Sequence, residues 1–114
     1  LNLYLTGYRP NGTDIKVYIR PQHTQDSAAF DTIDWIELEL FEGVNTYSSS
    51  SNVNDYKEFR YKVADANKDT GVITYTSTSG TFIGYRKFAV KIELLATNIH
   101  NVPFVKDYRG IALT

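Results

Sequence analysis

Between Tyr85 and Thr97 the chain alternates strictly: Phe88, Val90, Ile92 and Leu94 hold one parity, and Lys87, Ala89, Lys91 and Glu93 hold the other. Successive side chains of a strand point to opposite faces, so this stretch predicts a long strand with one apolar and one charged face. Wound as a helix, residues two apart would lie about 200° apart and scatter around the cylinder without forming a stripe. A strand of this kind needs partners on its edges and a second layer over its apolar face. It is read here as the strand around which the rest of the chain is organised.

The remaining segments repeat the signal. Leu1, Leu3 and Leu5 alternate with Asn2 and Tyr4, and Ile15, Val17 and Ile19 alternate with Lys16, Tyr18 and Arg20. Between them Arg9-Pro10-Asn11-Gly12-Thr13 is turn chemistry, which predicts an antiparallel hairpin of the first two strands, the second stopped by Pro21. Gln22 to Thr32 has no period; Ser27 to Phe30 could form one helical turn and nothing longer. Alternation returns from Trp35 to Phe41, with Ile36, Leu38 and Leu40 opposite Glu37 and Glu39. Gly43 to Asn54, with four serines from Ser48 to Ser51, predicts a mobile polar loop because it holds almost nothing to bury. Phe59 to Val63 and Val72 to Thr76 predict two further strands around a turn at Asp65 to Gly71, and Thr78-Ser79-Gly80 leads into the long strand. Pro103 breaks the ladder, and Ile111 to Leu113 closes the chain as a short last strand. About seven strands, with turn signals roughly every ten to fifteen residues, predict an all-β antiparallel β-sandwich, jelly-roll connections being one option.

Composition narrows the partners. The chain has 114 residues, enough for one domain that buries roughly two-thirds of its unfolded surface. It contains no cysteine, so no disulfide or thiolate metal site contributes. A formal net charge of -1, with acids and bases interspersed, argues against a nucleic-acid partner and against a polybasic membrane patch. No apolar run approaches the ~20 residues of a membrane span, and no signal-peptide pattern is present. The chain starts at Leu1 inside a strand-like pattern, as a domain cut from a longer protein would.

Candidate chemistry is sparse. Asp65, Asn67 and Asp69 place oxygen side chains at alternate positions, as calcium loops do. An EF-hand wants glycine at its sixth position and a bidentate glutamate at its twelfth, and here those are Thr70 and Thr76. A hairpin loop in which Gly71 takes positive φ explains the same residues. Glu37 and Glu39 share a strand face at a spacing within the ~5–9.5 Å of glycosidase carboxylates, but almost any polar strand face holds such a pair, and a solvated face neutralised by Arg60 or Lys62 across the sheet is the preferred reading. His23 and His100 are the only histidines, with no nucleophile elbow or phosphate loop to join them. Asn11-Gly12-Thr13 matches a glycosylation acceptor and is also an ordinary turn. Trp35, Tyr47, Tyr56 and Tyr75 form either an aromatic platform for a sugar or plain core and contact residues. The sequence therefore assigns no catalytic, cofactor-binding or metal-ligating residue.

Several phrases taken together carry a resemblance. They are Arg9-Pro10-Asn11-Gly12-Thr13-Asp14-Ile15-Lys16-Val17-Tyr18, the Phe30-Asp31 and Asp34-Trp35 patch, and Tyr56-Lys57-Glu58-Phe59-Arg60-Tyr61. A closing run joins Phe88 to Ile92 with Val102-Pro103, Asp107, Arg109 and Ile111-Ala112-Leu113. This pattern resembles the β-rich C-terminal portion of virion structural proteins of tailed bacteriophages, especially T4-like phages of marine cyanobacteria. The likeness spans most of the chain, with the serine loop its clearest gap. It implies a non-enzymatic tail, baseplate or fibre component, assembled into the virion in the host cytoplasm. Its partners would be other virion proteins or further copies of itself; attachment to a host-surface glycan is the alternative, and a fragment of a polysaccharide-degrading enzyme is a more distant one. Asp107 and Arg109 stand two apart and share a face if that segment is extended, as a local brace or as a subunit contact.

Overall fold

In strand Thr13–Gln22 the side chains of Thr13, Ile15, Val17, Ile19 and Pro21 are buried, and those between them are half-exposed. The computed structural model describes residues 1–97 and 102–111, and this strand (β2) lies at the centre of its sheet. It pairs along its whole length with Lys87–Ala96 (β9) on one side and briefly with Ile36–Glu37 (β3) on the other. A second sheet has four strands in the order β10-β1-β5-β4: Phe104–Ile111, Asn2–Tyr8, Lys57–Lys62 and Glu39–Glu42. A third sheet is the small meander of Lys68–Asp69 (β6), Val72–Ser77 (β7) and Gly80–Ile83 (β8). Every pairing between these strands is antiparallel, none of the sheets closes into a barrel, and among the described residues there is no α-helix.

One apolar cluster joins the three sheets. Leu3 and Leu5 of β1 with Phe59 and Tyr61 of β5 form one wall, and Ile15, Val17 and Ile19 of β2 form the other. Leu38, Val63 and Ile73 belong to the same cluster. Full burial of each such side chain is worth roughly 1.5–3 kcal/mol, so this cluster is the main stabilising term. The Tyr61 hydroxyl donates to the Ile15 carbonyl oxygen at 2.7 Å, which satisfies two polar groups inside the core. Burial raises the Tyr61 pKa well above the ordinary tyrosine value. Gly7 lies where β10 crosses closest: a Cβ there would sit 2.7 Å from the Phe104 carbonyl oxygen, beside the register shift between Thr6 and Gly7.

The structure departs from the sequence expectations in several places. Among the described residues there are ten strands in place of seven. Trp35 to Phe41 splits into β3 and β4, which belong to different sheets on either side of buried Leu38, and β6 and β8 are additional. β1 and β2 do not form a hairpin. They belong to different sheets, and their apolar side chains join one core cluster, so the turn carries the chain from one sheet to the other. Pro21 does not end β2: its missing N–H would point away from β9, beyond the last residue that β3 pairs, so no ladder bond is lost. The helical turn expected at Ser27 to Phe30 is a 3-10 turn at Phe30–Thr32, and a second 3-10 turn lies at Asp65–Asn67. The last strand starts directly after Pro103, and Ala112 and Leu113 lie outside the described residues, as does His100.

The long strand itself holds an unexpected position. β9 is an edge strand; Val90 and Ile92 are half-buried against the core, while Phe88 and Leu94 are 38% and 45% exposed. The serine loop is also more fastened than its composition suggests. Buried Arg9 donates to the carbonyl oxygens of Gly43 at 3.1 Å and Val44 at 3.0 Å, Ser48 is buried against Arg9, and the Tyr8 hydroxyl donates to the Ser49 carbonyl oxygen.

Burial sets the expected mutational pattern. Ile19→Ala, at a fully buried site, should cost about 2–5 kcal/mol by urea unfolding, whereas Ile83→Ala, 48% exposed, should cost under ~1 kcal/mol. Equal costs at the two positions would refute the placement of the core.

Candidate interaction surfaces

The outward face of the four-stranded sheet forms ordered rows of side chains. Register places Arg109, Tyr4 and Arg60 side by side on β10, β1 and β5, and Asp107, Thr6 and Glu58 on the next rung. The Tyr4 ring carries the Arg60 guanidinium 5.3 Å and the Arg109 guanidinium 4.9 Å from its centroid. Arg60 also lies over Phe41 at 4.5 Å and pairs with Glu42 at 3.1 Å. These rows border a shallow groove of about 350 Å³ whose lining includes Glu42, Glu58, Asp107 and both arginines. Asp107 and Arg109 do share a face, but Arg109 is engaged with Tyr4 and forms no ion pair with Asp107.

A second ordered row covers the outward face of the β3-β2-β9 sheet. Cations and rings alternate along it: Lys87 over Phe30 at 4.6 Å, Arg20 near Phe30 at 5.7 Å and over Trp35 at 4.3 Å, and Lys91 over Trp35 at 5.0 Å and Tyr18 at 4.5 Å. The cations come from the polar parity of β2 and β9, and the segment that starts with the 3-10 turn at Phe30–Thr32 brings Phe30 and Trp35 over them. Arg20 Nε donates to the Ile33 carbonyl oxygen at 2.8 Å, which fixes the turn to the strand. Each cation–π contact at such a site contributes roughly 0.5–1 kcal/mol, so the row is a rigid surface more than a source of stability.

The third cluster is a buried carboxylate. Asp26 is 7% exposed and accepts hydrogen bonds from the Tyr75 hydroxyl at 2.7 Å, the Ser77 hydroxyl at 2.9 Å, the Ser79 hydroxyl and the Ala28 N–H at 3.0 Å. Burial alone pushes this carboxyl up, but the bonds from Ser79, Tyr75, Ala28 and Ser77 together outweigh it and hold the pKa at about 2. Tyr75 moves the other way, to about 12, because burial and its bond to Asp26 favour the neutral phenol, against the His23 N–H bond to its oxygen. The carboxylate ties the segment after β2 to the β7–β8 hairpin. With its oxygens filled by protein donors, it is a structural brace.

The residues singled out from sequence are dispersed. Glu37 in β3 is 3.8 Å from Lys16, and Glu39 in β4 lies opposite Lys62 in the other sheet. Asp65 belongs to a 3-10 turn with its side chain near Lys68, while Thr70 and Gly71, both at positive φ, make the tight turn between β6 and β7. Among the described residues no three His, Asp or Glu side chains gather as metal ligands would. His23 stacks on Phe82 at 5.4 Å. Asn11 to Thr13 forms the turn, with the Thr13 hydroxyl bonded to the Pro10 carbonyl oxygen. Trp35, Tyr47, Tyr56 and Tyr75 sit in four separate environments: the cation row, the side of Arg9, an edge contact with Phe104, and the Asp26 cluster. No family model, curated protein or solved structure matches the chain.

The Asp26 cluster has a pH signature. Its carboxyl titrates near 3.8 unfolded and at about 2 folded, so the stabilisation is complete above the unfolded value and is lost as pH falls towards the folded one. Asp26→Asn should flatten the acid limb of the stability–pH curve over that window, as read by denaturant midpoints. An unchanged acid limb would contradict the brace.

Proposed function

We propose that the chain is a non-enzymatic structural domain of a phage virion that makes protein–protein contacts in a tail, baseplate or fibre. The observation that carries the contact role is the set of large apolar side chains held exposed on ordered strands: Ile83 on β8, Phe88, Leu94 and Leu95 on β9, and Tyr108 on β10. Side chains of this kind on a rigid sheet favour a protein partner over solvent. The two cation–ring rows support the same reading, because they present flat, preorganised faces that lose little entropy on docking. In this reading the two larger sheets form a β-sandwich with jelly-roll-like connections, a scaffold suited to repeated assembly. The virion assignment rests on the sequence resemblance, and other virion proteins are the partners it names.

Glycan attachment is less well supported. Trp35, the ring best placed for a sugar, is already engaged by Arg20 and Lys91.

Peptides of this chain should appear in mass spectra of density-purified tailed phage particles and stay with the tail fraction when heads are separated. Absence from such particles overturns the virion reading. On a glycan array the purified chain should give no saturable signal, and saturable binding abolished by Trp35→Ala would move the function to sugar recognition.

A further inference from the structure

We infer that the free edge of β9 pairs with the β9 edge of a second copy of this chain, antiparallel and centred on Ile92, to make one continuous sheet across two molecules. This inference deepens the protein-contact reading and rests on it for the idea that the exposed strands seek a protein partner.

The backbone geometry points outward. Thr97 N–H donates to the Gly12 carbonyl oxygen at 3.1 Å, one step beyond the Thr13–Ala96 pair, so Asp14–Leu95, Lys16–Glu93 and Tyr18–Lys91 are the hydrogen-bonded pairs of this ladder. The bond from Leu38 N–H to the Val17 carbonyl oxygen at 2.8 Å, on the far side of β2, fits the same parity. The even-numbered residues of β9 therefore turn their N–H and C=O groups away from β2, where no described strand meets them. Phe88, Val90, Ile92, Leu94 and Ala96 offer these backbone groups along a ten-residue edge, and their side chains lie on the apolar face.

The side chains select the register. With the two-fold axis at Ile92, Val90 faces the second copy's Leu94 on the apolar side. On the polar side Ala89 faces its Leu95 and Lys91 faces its Glu93, and symmetry repeats each pair. An axis on Lys91 would set lysine against lysine, and one on Glu93 would set glutamate against glutamate. Within the chain Glu93 makes no ion pair among the described residues, since Lys16 opposite it is drawn to Glu37. Lysines on an edge strand ordinarily guard it against pairing, but here each lysine at the centre meets a carboxylate. The pairing would also cover Leu94, which the chain alone leaves 45% exposed.

Sedimentation equilibrium of the purified chain tests this. The wild type should form a reversible dimer. Lys91→Glu and Glu93→Lys should each weaken it by about tenfold, because each sets like charges directly opposite at two places. An equimolar mixture of the two variants should recover wild-type association, since the mixed dimer restores both opposite-charge pairs. A wild type that stays monomeric at millimolar concentration, variants that associate like the wild type, or a mixture no tighter than either variant would overturn the pairing. Hydrogen exchange on the wild type needs no substitution: the Val90, Ile92 and Leu94 amides should gain protection as concentration rises, while those of Lys91 and Glu93, already bonded to β2, should not. Unchanged Val90, Ile92 and Leu94 amides also overturn it. A dimer of a chain missing from phage particles would refute the virion role alone, and a monomer present in particles would refute this pairing alone.

Discussion

Burying one face of β2 in a single apolar cluster with Leu3, Leu5, Phe59 and Tyr61 is the constraint that fixes the rest. Ile15, Val17 and Ile19 are shielded from both sides, by the Leu3, Leu5, Phe59 and Tyr61 wall and by neighbours in their own sheet. A slip of one residue would turn those three side chains to solvent and bring Lys16 and Tyr18 inward, so the register is strongly specified. Once β2 is fixed, the polar parity of β2 and β9 is aimed outward, and the cation–ring row follows from that placement. Arg9, in the link from β1 to β2, then holds the loop that follows β4. Its head is buried, its donors hold the Gly43–Val44 carbonyl groups, and its plane lies 4.6 Å from the Tyr47 centroid.

Alternation made much of the fold legible. The strands around Leu3, Val17, Phe59, Ile73 and Val90 are all where period two places them, and the all-β antiparallel character follows from them. Parity tells which face is apolar and says nothing about which strands are neighbours. That is why β9, the most regular strand in the chain, is an edge strand and why β1 and β2 part company. The short strands β6 and β8 were hidden for a different reason. Two or four residues carry too little periodicity to register against turn composition.

The clusters with chemical character were less legible, because each assembles distant segments. Asp26 draws donors from Tyr75, Ser77 and Ser79, about fifty residues away along the chain, and its own neighbourhood reads only as an aperiodic polar stretch. A buried carboxylate of this kind leaves no local spacing to detect. Trp35 was visible as a candidate, but its partners Arg20 and Lys91 are on two strands whose pairing alternation does not reveal. The fastening of the serine loop by Arg9 and Tyr8 is not legible in its composition, because these bonds come from residues more than thirty positions away.

The placement of the last strand beside the first bears on biosynthesis. β1 lies inside its sheet only because β10 lines one of its sides, and the fit depends on Gly7 lying close against the Phe104 backbone. As the polypeptide leaves the ribosome, β1 emerges long before its neighbour β10. The nascent domain therefore carries an open, sticky flank until translation of this region is nearly complete. Collapse of this fold is a late, long-range event, and a chain stalled before Phe104 is the species most prone to aggregate.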